Sequence, residues 1–293
     1  MNHTHWSRDV HYYQQRLRTA GLAVGVGLYW LVPSAVWGLV HDPDSRHDHM
    51  CETSLQHAVR KHFNTNAPFP HWDRVIKTWN STGILWWRWW VITAGHVWAK
   101  PIEYKGEIFE PTEDEVRIPQ THISKTGEEV DSDVCLFRIN VPKKHALHKL
   151  RLLPIARDGV SVREPVVLIG QWSGPATVVG GRDWYIEWST DDDDRKKRWW
   201  LWEVEKIFSI PLPIEGTKSY GFSVKYWGVE EFGWLATDGD SWGAACNLER
   251  GLYRFRWLMA AIDSPQGKAR KGDSTYVVDF VPLRSQLVEI LRS

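Results

Sequence analysis

The 293-residue sequence predicts an all-β fold, a barrel or sandwich that ends in one helix, and three observations support this. Short runs rich in Val, Ile, Trp, Tyr and Phe recur between turn residues from about residue 71 onward. They read RVIKTW, GILWW, WWVIT, DVCLFRI, EPVVLIGQW, DWYIEW, GFSVKYW, YRFRWLMAAI and TYVVDFV. Tryptophan occurs 20 times, in clusters such as LWWRWW (85–90) and RWWLW (198–202), and large rings fill β cores efficiently. Helical spacing is clear only near the end, where Leu283, Leu287, Val288 and Leu291 of VPLRSQLVEIL fall on one face.

Along the chain, residues 1–19 read as a short N-terminal tail, expected to be cytoplasmic. Residues 20–40, AGLAVGVGLYWLVPSAVWGLV, carry no charged side chain and are long enough for one bilayer-spanning helix. Arg16 and Arg18 precede the stretch, and Asp42 and Asp44 follow it. That asymmetry predicts a single-pass membrane anchor with the remainder of the chain translocated. Secretion after signal-peptide cleavage is the alternative, although the small-x-small cleavage pattern is poor; a buried soluble helix is a third reading. Residues 41–70 read as a polar linker with one short helix (54–63). Its HDPDSRHDH run repeats no metal-ligand spacing, so no metal is expected. DDDDRKKR (191–198) reads as a solvated hairpin tip between aromatic strands, with a trypsin-type processing site as the alternative.

Charge and cysteine content narrow the function classes. The 36 basic and 36 acidic side chains cancel, so no nucleic-acid or polyanion partner is implied. Cys51, Cys135 and Cys246 are an odd, widely spaced set and form no disulfide framework. Cys135 lies within an apolar strand pattern and reads as an inert buried thiol.

TDGDSWG (237–243) places Ser241 in a Gly-Asp-Ser turn, a form in which a serine nucleophile is often presented. A serine hydroxyl needs a base, and the base needs a third group that holds its tautomer. Of 13 histidines, His96 in WVITAGHVW stands out, because it follows a β-branched strand and a tight Thr-Ala-Gly turn. For the carboxylate, Asp133 in DSDVCLFRI sits just before an alternating apolar strand, with Asp131 as the fallback.

The order His96, Asp133, Ser241 resembles the chymotrypsin/trypsin-like serine protease family. GILWWRWWVITAGH (83–96) resembles the family's paired strands and Ala-x-His corner. SDVCLFRI is similar to its Asp-Ile-x-Leu-Leu strand, VLIGQWSG (167–174) to the opening of the second barrel, and TDGDSWG to Gly-Asp-Ser-Gly-Gly. TYVVDFVPLRSQLVEIL (275–291) resembles the last strand and C-terminal helix. The likeness spans roughly residues 71–292 and implies two six-stranded antiparallel β-barrels within a protease domain covering 71–293. It further implies a cofactor-free serine endopeptidase that acts on a peptide or protein substrate. His96 would be general base and then acid, Asp133 its orienting group and Ser241 the nucleophile. The N–H groups of Gly239 and Ser241 would form the oxyanion hole. Counting from Ser241 puts Leu235 at the floor of the primary pocket, with Ala261 and Asp263 in its wall.

Several positions depart from the family pattern. Trp242 replaces a glycine and Ala244 a proline, which raises a catalytically inactive barrel acting as a binding module as the alternative function. Val97 stands where secreted animal relatives have a cysteine. No Arg-Ile-Val-Gly-Gly activation site precedes the barrel, so Asp240 lacks the new N-terminus it would pair with in zymogen-type members. An esterase of the α/β-hydrolase type is disfavoured, because GAACN leads into another strand rather than a helix.

Overall fold

Among the described residues, strands of three to twelve residues pair mostly with near neighbours, and every pairing between them is antiparallel. The computed structural model describes residues 37–39, 52–79, 81–172, 176–179, 185–188, 196–214, 216–225, 236–238, 243–262, 268–270 and 273–292.

Two β bodies dominate. The first is a seven-stranded sheet in the order Glu107–Phe109, Ile102–Tyr104, Val75–Thr78, Ser81–Trp87, Trp90–Thr93, Cys135–Ile139, Pro111–Arg117. Its ladder does not close, but the two edge strands are joined through Glu110 alone, so the sheet has to curl until its edges meet at that residue. The second body is a closed six-stranded barrel of Pro165–Trp172, Lys196–Ile207, Gly221–Lys225, Ser274–Asp279, Leu252–Ile262 and Ala244–Glu249. The all-β class, the two-part architecture and the C-terminal helix Arg284–Arg292 agree with expectation. The first body uses seven strands in a curled sheet where six in a closed ladder are expected.

Period-two alternation explains how the halves meet. Within the first sheet, Leu85, Val91, Cys135 and Phe137 enter a core of their own with Ile76, Phe109 and Leu147. Their strand neighbours Ile84, Trp86, Ile92 and Leu136 join Val167, Ile169, Ala244, Cys246 and Phe255 of the barrel in one larger core. A sheet buried on both faces reads as a continuous apolar run rather than an alternating one, and GILWW and WWVIT have that form. Trp86, Trp90, Trp199, Trp200 and Trp202 are buried, as a bulky β core requires, whereas Trp79 and Trp98 are exposed. The barrel also needs one close backbone approach. A Cβ on Gly221 would lie 1.9 Å from the carbonyl oxygen of Val277, so only glycine fits there.

Three expectations change at the fold level. Within the expected helix 20–40, Trp37–Leu39 is a strand, paired antiparallel with Ala236–Asp238. Residues 20–36 lie outside the described residues, and among those described no helix is long and apolar enough to cross a membrane. The expected linker is more than a tether from Glu52 onward. Its helix, Glu52–His62, buries Leu55 and Val59, and Phe69 is buried beyond it. The Gln56 side chain clamps that segment, donating to the Phe69 carbonyl and accepting from the Phe69 N–H. An apolar residue at every fourth position of a polar stretch suffices for one buried helical stripe, which composition alone conceals. Finally, Lys197 and Arg198 belong to the barrel strand Lys196–Ile207 rather than to a hairpin tip, and Arg198 is buried.

Candidate catalytic site

Register brings the first two candidate residues together. Trp90–Thr93 and Cys135–Ile139 are adjacent antiparallel strands in which Thr93 lies opposite Cys135. One chain therefore leaves the sheet through Ala94-Gly95-His96 at the edge where the other enters through Asp133-Val134. His96 Nδ1 lies 3.2 Å from each carboxylate oxygen of Asp133, and the His96 backbone N–H donates to Oδ1 at 3.1 Å. The Asp133 side chain is fully buried, while that of His96 is 12% exposed.

A buried carboxylate has to be satisfied by donors, and here the imidazole and a main-chain N–H serve. Nδ1 faces an acceptor-only group, so the tautomer assigned from this contact carries its proton on Nδ1 and leaves Nε2 as the basic nitrogen. A distance of 3.2 Å is somewhat long for a charge-assisted bond. Gly95 makes this packing possible. A Cβ there would fall 2.9 Å from Asp133 Oδ1 and 3.1 Å from its Cα, so a larger residue displaces the carboxylate.

The two candidate acids are thereby separated. Asp131 is exposed at the end of the hairpin strand Glu128–Asp131, where it accepts from the Gln120 side chain. Of the two acids it is Asp133 that meets His96, and a second contact backs Asp133 from the hairpin that leads into the barrel. Its backbone N–H donates to Ser219 Oγ at 2.9 Å, and Ser219 is itself buried. Sequence reasoning missed this serine, because KSYGF carries no motif. Gly95 stands inside the quoted TAGH corner, yet nothing in the corner reveals how closely the carboxylate approaches. Cys135, two residues from Asp133, is buried, and desolvation with the Asp133 charge pushes its thiol up to about 12. Burial raises the Cys246 thiol as well. Both thiols are inert at neutral pH, as expected for Cys135.

Ser241, Gly239, Trp242, Leu235 and Asp263 lie outside the described residues. Ala261 is in the barrel strand Leu252–Ile262, opposite Tyr276. The flanks of the Ser241 segment are described. Ala236–Asp238 precedes it, and beyond it Gly243 and Ala244 are buried, with Ala244 paired to Ile169 and Leu258. Among the described residues no three His, Cys, Asp or Glu side chains gather as a metal site.

No protein-family model matches the chain, and no curated protein does. Among solved structures, the chain is similar to an inactivated protease paralogue of the scabies mite at 14% identity and a TM-score of 0.45. That likeness covers 74% of this chain and 92% of the other. A mutant of human heparin binding protein is similar at 12% identity and a TM-score of 0.47, over 75% of this chain and 90% of the other.

Proposed function

We propose that the protein is a serine endopeptidase, a reading carried by one observation: His96 Nδ1 shared between both oxygens of the buried Asp133. Asp133 holds the imidazole with Nε2 unprotonated and stabilises the imidazolium that forms when Nε2 takes a proton. In this mechanism the Ser241 oxygen attacks the peptide carbonyl as Nε2 accepts its proton. The N–H groups of Gly239 and Ser241 stabilise the resulting oxyanion. The tetrahedral species then collapses, the C–N bond breaks, and Nε2 returns the proton to the leaving amine. Water, deprotonated by the same nitrogen, cleaves the acyl-enzyme and restores Ser241. Leu235, Ala261 and Asp263 are the proposed pocket residues. The apolar stretch ahead of Trp37 is proposed to attach the enzyme to a membrane, with the β bodies on the translocated side.

A fluorophosphonate probe tests this reading. Wild type is expected to label, and Ser241→Ala and His96→Ala are expected not to. Trp242 motivates the second reading, a barrel that binds without cutting, because an indole replaces the small residue of the nucleophile turn. A folded wild type that stays unlabelled, and still does so as Trp242→Gly, favours binding. Recovery of the intact protein from the soluble fraction after cell lysis contradicts the membrane attachment.

A further inference from the structure

We propose that Ser219 is a positioning residue for the His96–Asp133 pair, through which the C-terminal barrel sets the direction of the carboxylate. This deepens the peptidase reading and rests on it. Asp133 belongs to the first sheet, entering the strand Cys135–Ile139, whereas Ser219 ends the hairpin Leu212–Ile214/Thr217–Ser219 that runs directly into the barrel. The 2.9 Å contact to Ser219 Oγ therefore crosses between the two halves.

The Ser219 end of that contact is firmly held. Tyr220 accepts from the Asp279 N–H at 2.8 Å, and Gly221 accepts from the Phe208 N–H at 2.9 Å. The missing Cβ of Gly221 lets the chain lie directly against Val277. Ser219 lies two residues upstream of this anchor and is itself buried. The Asp133 end has a second support, since the N–H of the preceding Ser132 donates to the Pro119 carbonyl at 2.9 Å. Without the serine oxygen, the buried Asp133 N–H loses its acceptor, and the chain has to turn to find another. A turn of the Asp133 main chain swings both carboxylate oxygens relative to Nδ1. Small misplacements of a catalytic group are costly in rate, whereas substrate contacts elsewhere are untouched.

The test compares Ser219→Ala, Ser219→Thr and a control, Ser223→Ala. Ser223 is a similarly buried serine four residues on, whose hydroxyl donates to Glu205. The readouts are kcat and KM across pH, and the His96 ring titration followed by NMR. Ser219→Ala is expected to lower kcat about tenfold with KM little changed, and to move the His96 midpoint downward as the carboxylate loosens. Ser219→Thr, which keeps the hydroxyl, should restore both, and Ser223→Ala should alter neither. If Ser219→Ala fails to fold, Ser219→Cys, a weak acceptor of similar size, replaces it with the same expectation. A folded variant with an unchanged His96 titration overturns the proposal, as does an identical shift in Ser223→Ala. A wild type inert toward peptides overturns the peptidase reading instead, and the His96 titration then still decides the role of Ser219.

Discussion

The first sheet carries His96 and Asp133, the proposed acid–base pair, and leaves its ladder open, whereas the barrel closes its ladder and meets Asp133 through Ser219 on the hairpin that leads into it. In the sheet, polar side chains sit where strands end: His96 past Thr93, Asp133 ahead of Cys135. In the barrel, every strand has two partners, and its described contribution to the site is a hydroxyl on the hairpin leading into Gly221. An open, curled sheet presents strand ends at a rim, and a closed ladder supplies a fixed frame against which they can be set. The His96–Asp133 contact and the hydroxyl that backs it are thus divided between the halves.

The largest effect should come from breaking the sheet's half of this division. Asp133→Asn keeps the shape but presents an amide to Nδ1, which favours the wrong tautomer. The kcat of peptide hydrolysis is expected to fall about 10⁴-fold with the melting curve little changed, and a loss under tenfold would remove Asp133 from the mechanism. Next comes the frame. Phe222→Ala empties a fully buried site in the barrel, and Phe137→Ala does the same in the sheet. Each should cost about 3–5 kcal/mol, with the closed ladder, which collapses less easily, at the upper end. Equal costs in denaturant unfolding would show that closure adds no stiffness.

A third test concerns the segment that joins the sheet to the barrel's large core. His71 is buried against Phe69 and Phe255, with Nε2 bonded to the Tyr253 carbonyl at 2.9 Å. Burial drives its imidazole down from 6.5 to about 4, so it is neutral in the folded protein where the unfolded chain would be protonated. The unfolded state binds the extra proton between those values. Stability is therefore complete above pH 6.5 and lost as pH falls toward 4, by up to about 3 kcal/mol. Thermal melts from pH 7 to 4 should show this slope, and His71→Phe should flatten it. The smallest effect is expected at the terminal helix. Gln286 accepts from the Gln120 N–H at 2.7 Å and donates to the Gln120 carbonyl at 2.8 Å. Gln286→Ala should cost about 1 kcal/mol and lower the melting temperature by about 2–4 °C.

Much of this was legible in the chain. The β-branched and aromatic runs became strands, and Leu287 and Leu291 became the buried stripe of the last helix, with Leu283 buried just ahead of it and Val288 half-buried. The TAGH and SDVCLFRI motifs brought His96 and Asp133 together. The polar stretch after Glu52 was less legible, because three buried residues, Leu55, Val59 and Phe69, are diluted among many charged and polar ones. Lys197 and Arg198 misled for a related reason. Long basic side chains can bury their stems inside a strand, and Lys197 Nζ reaches the Trp72 carbonyl at 3.0 Å.

By itself the sequence determined local things: where strands run, where the last helix begins, and which histidine and carboxylate stand at strand ends. These depend on periodicity and turn chemistry, which act over a few residues. Tertiary structure alone decided that Asp133 and not Asp131 meets His96, that Gly95 must lack a side chain, and that Ser219 crosses from one half to the other. Each of those is a distance between residues remote in the chain, fixed by strand register and by packing between the two β bodies, and no local pattern encodes it.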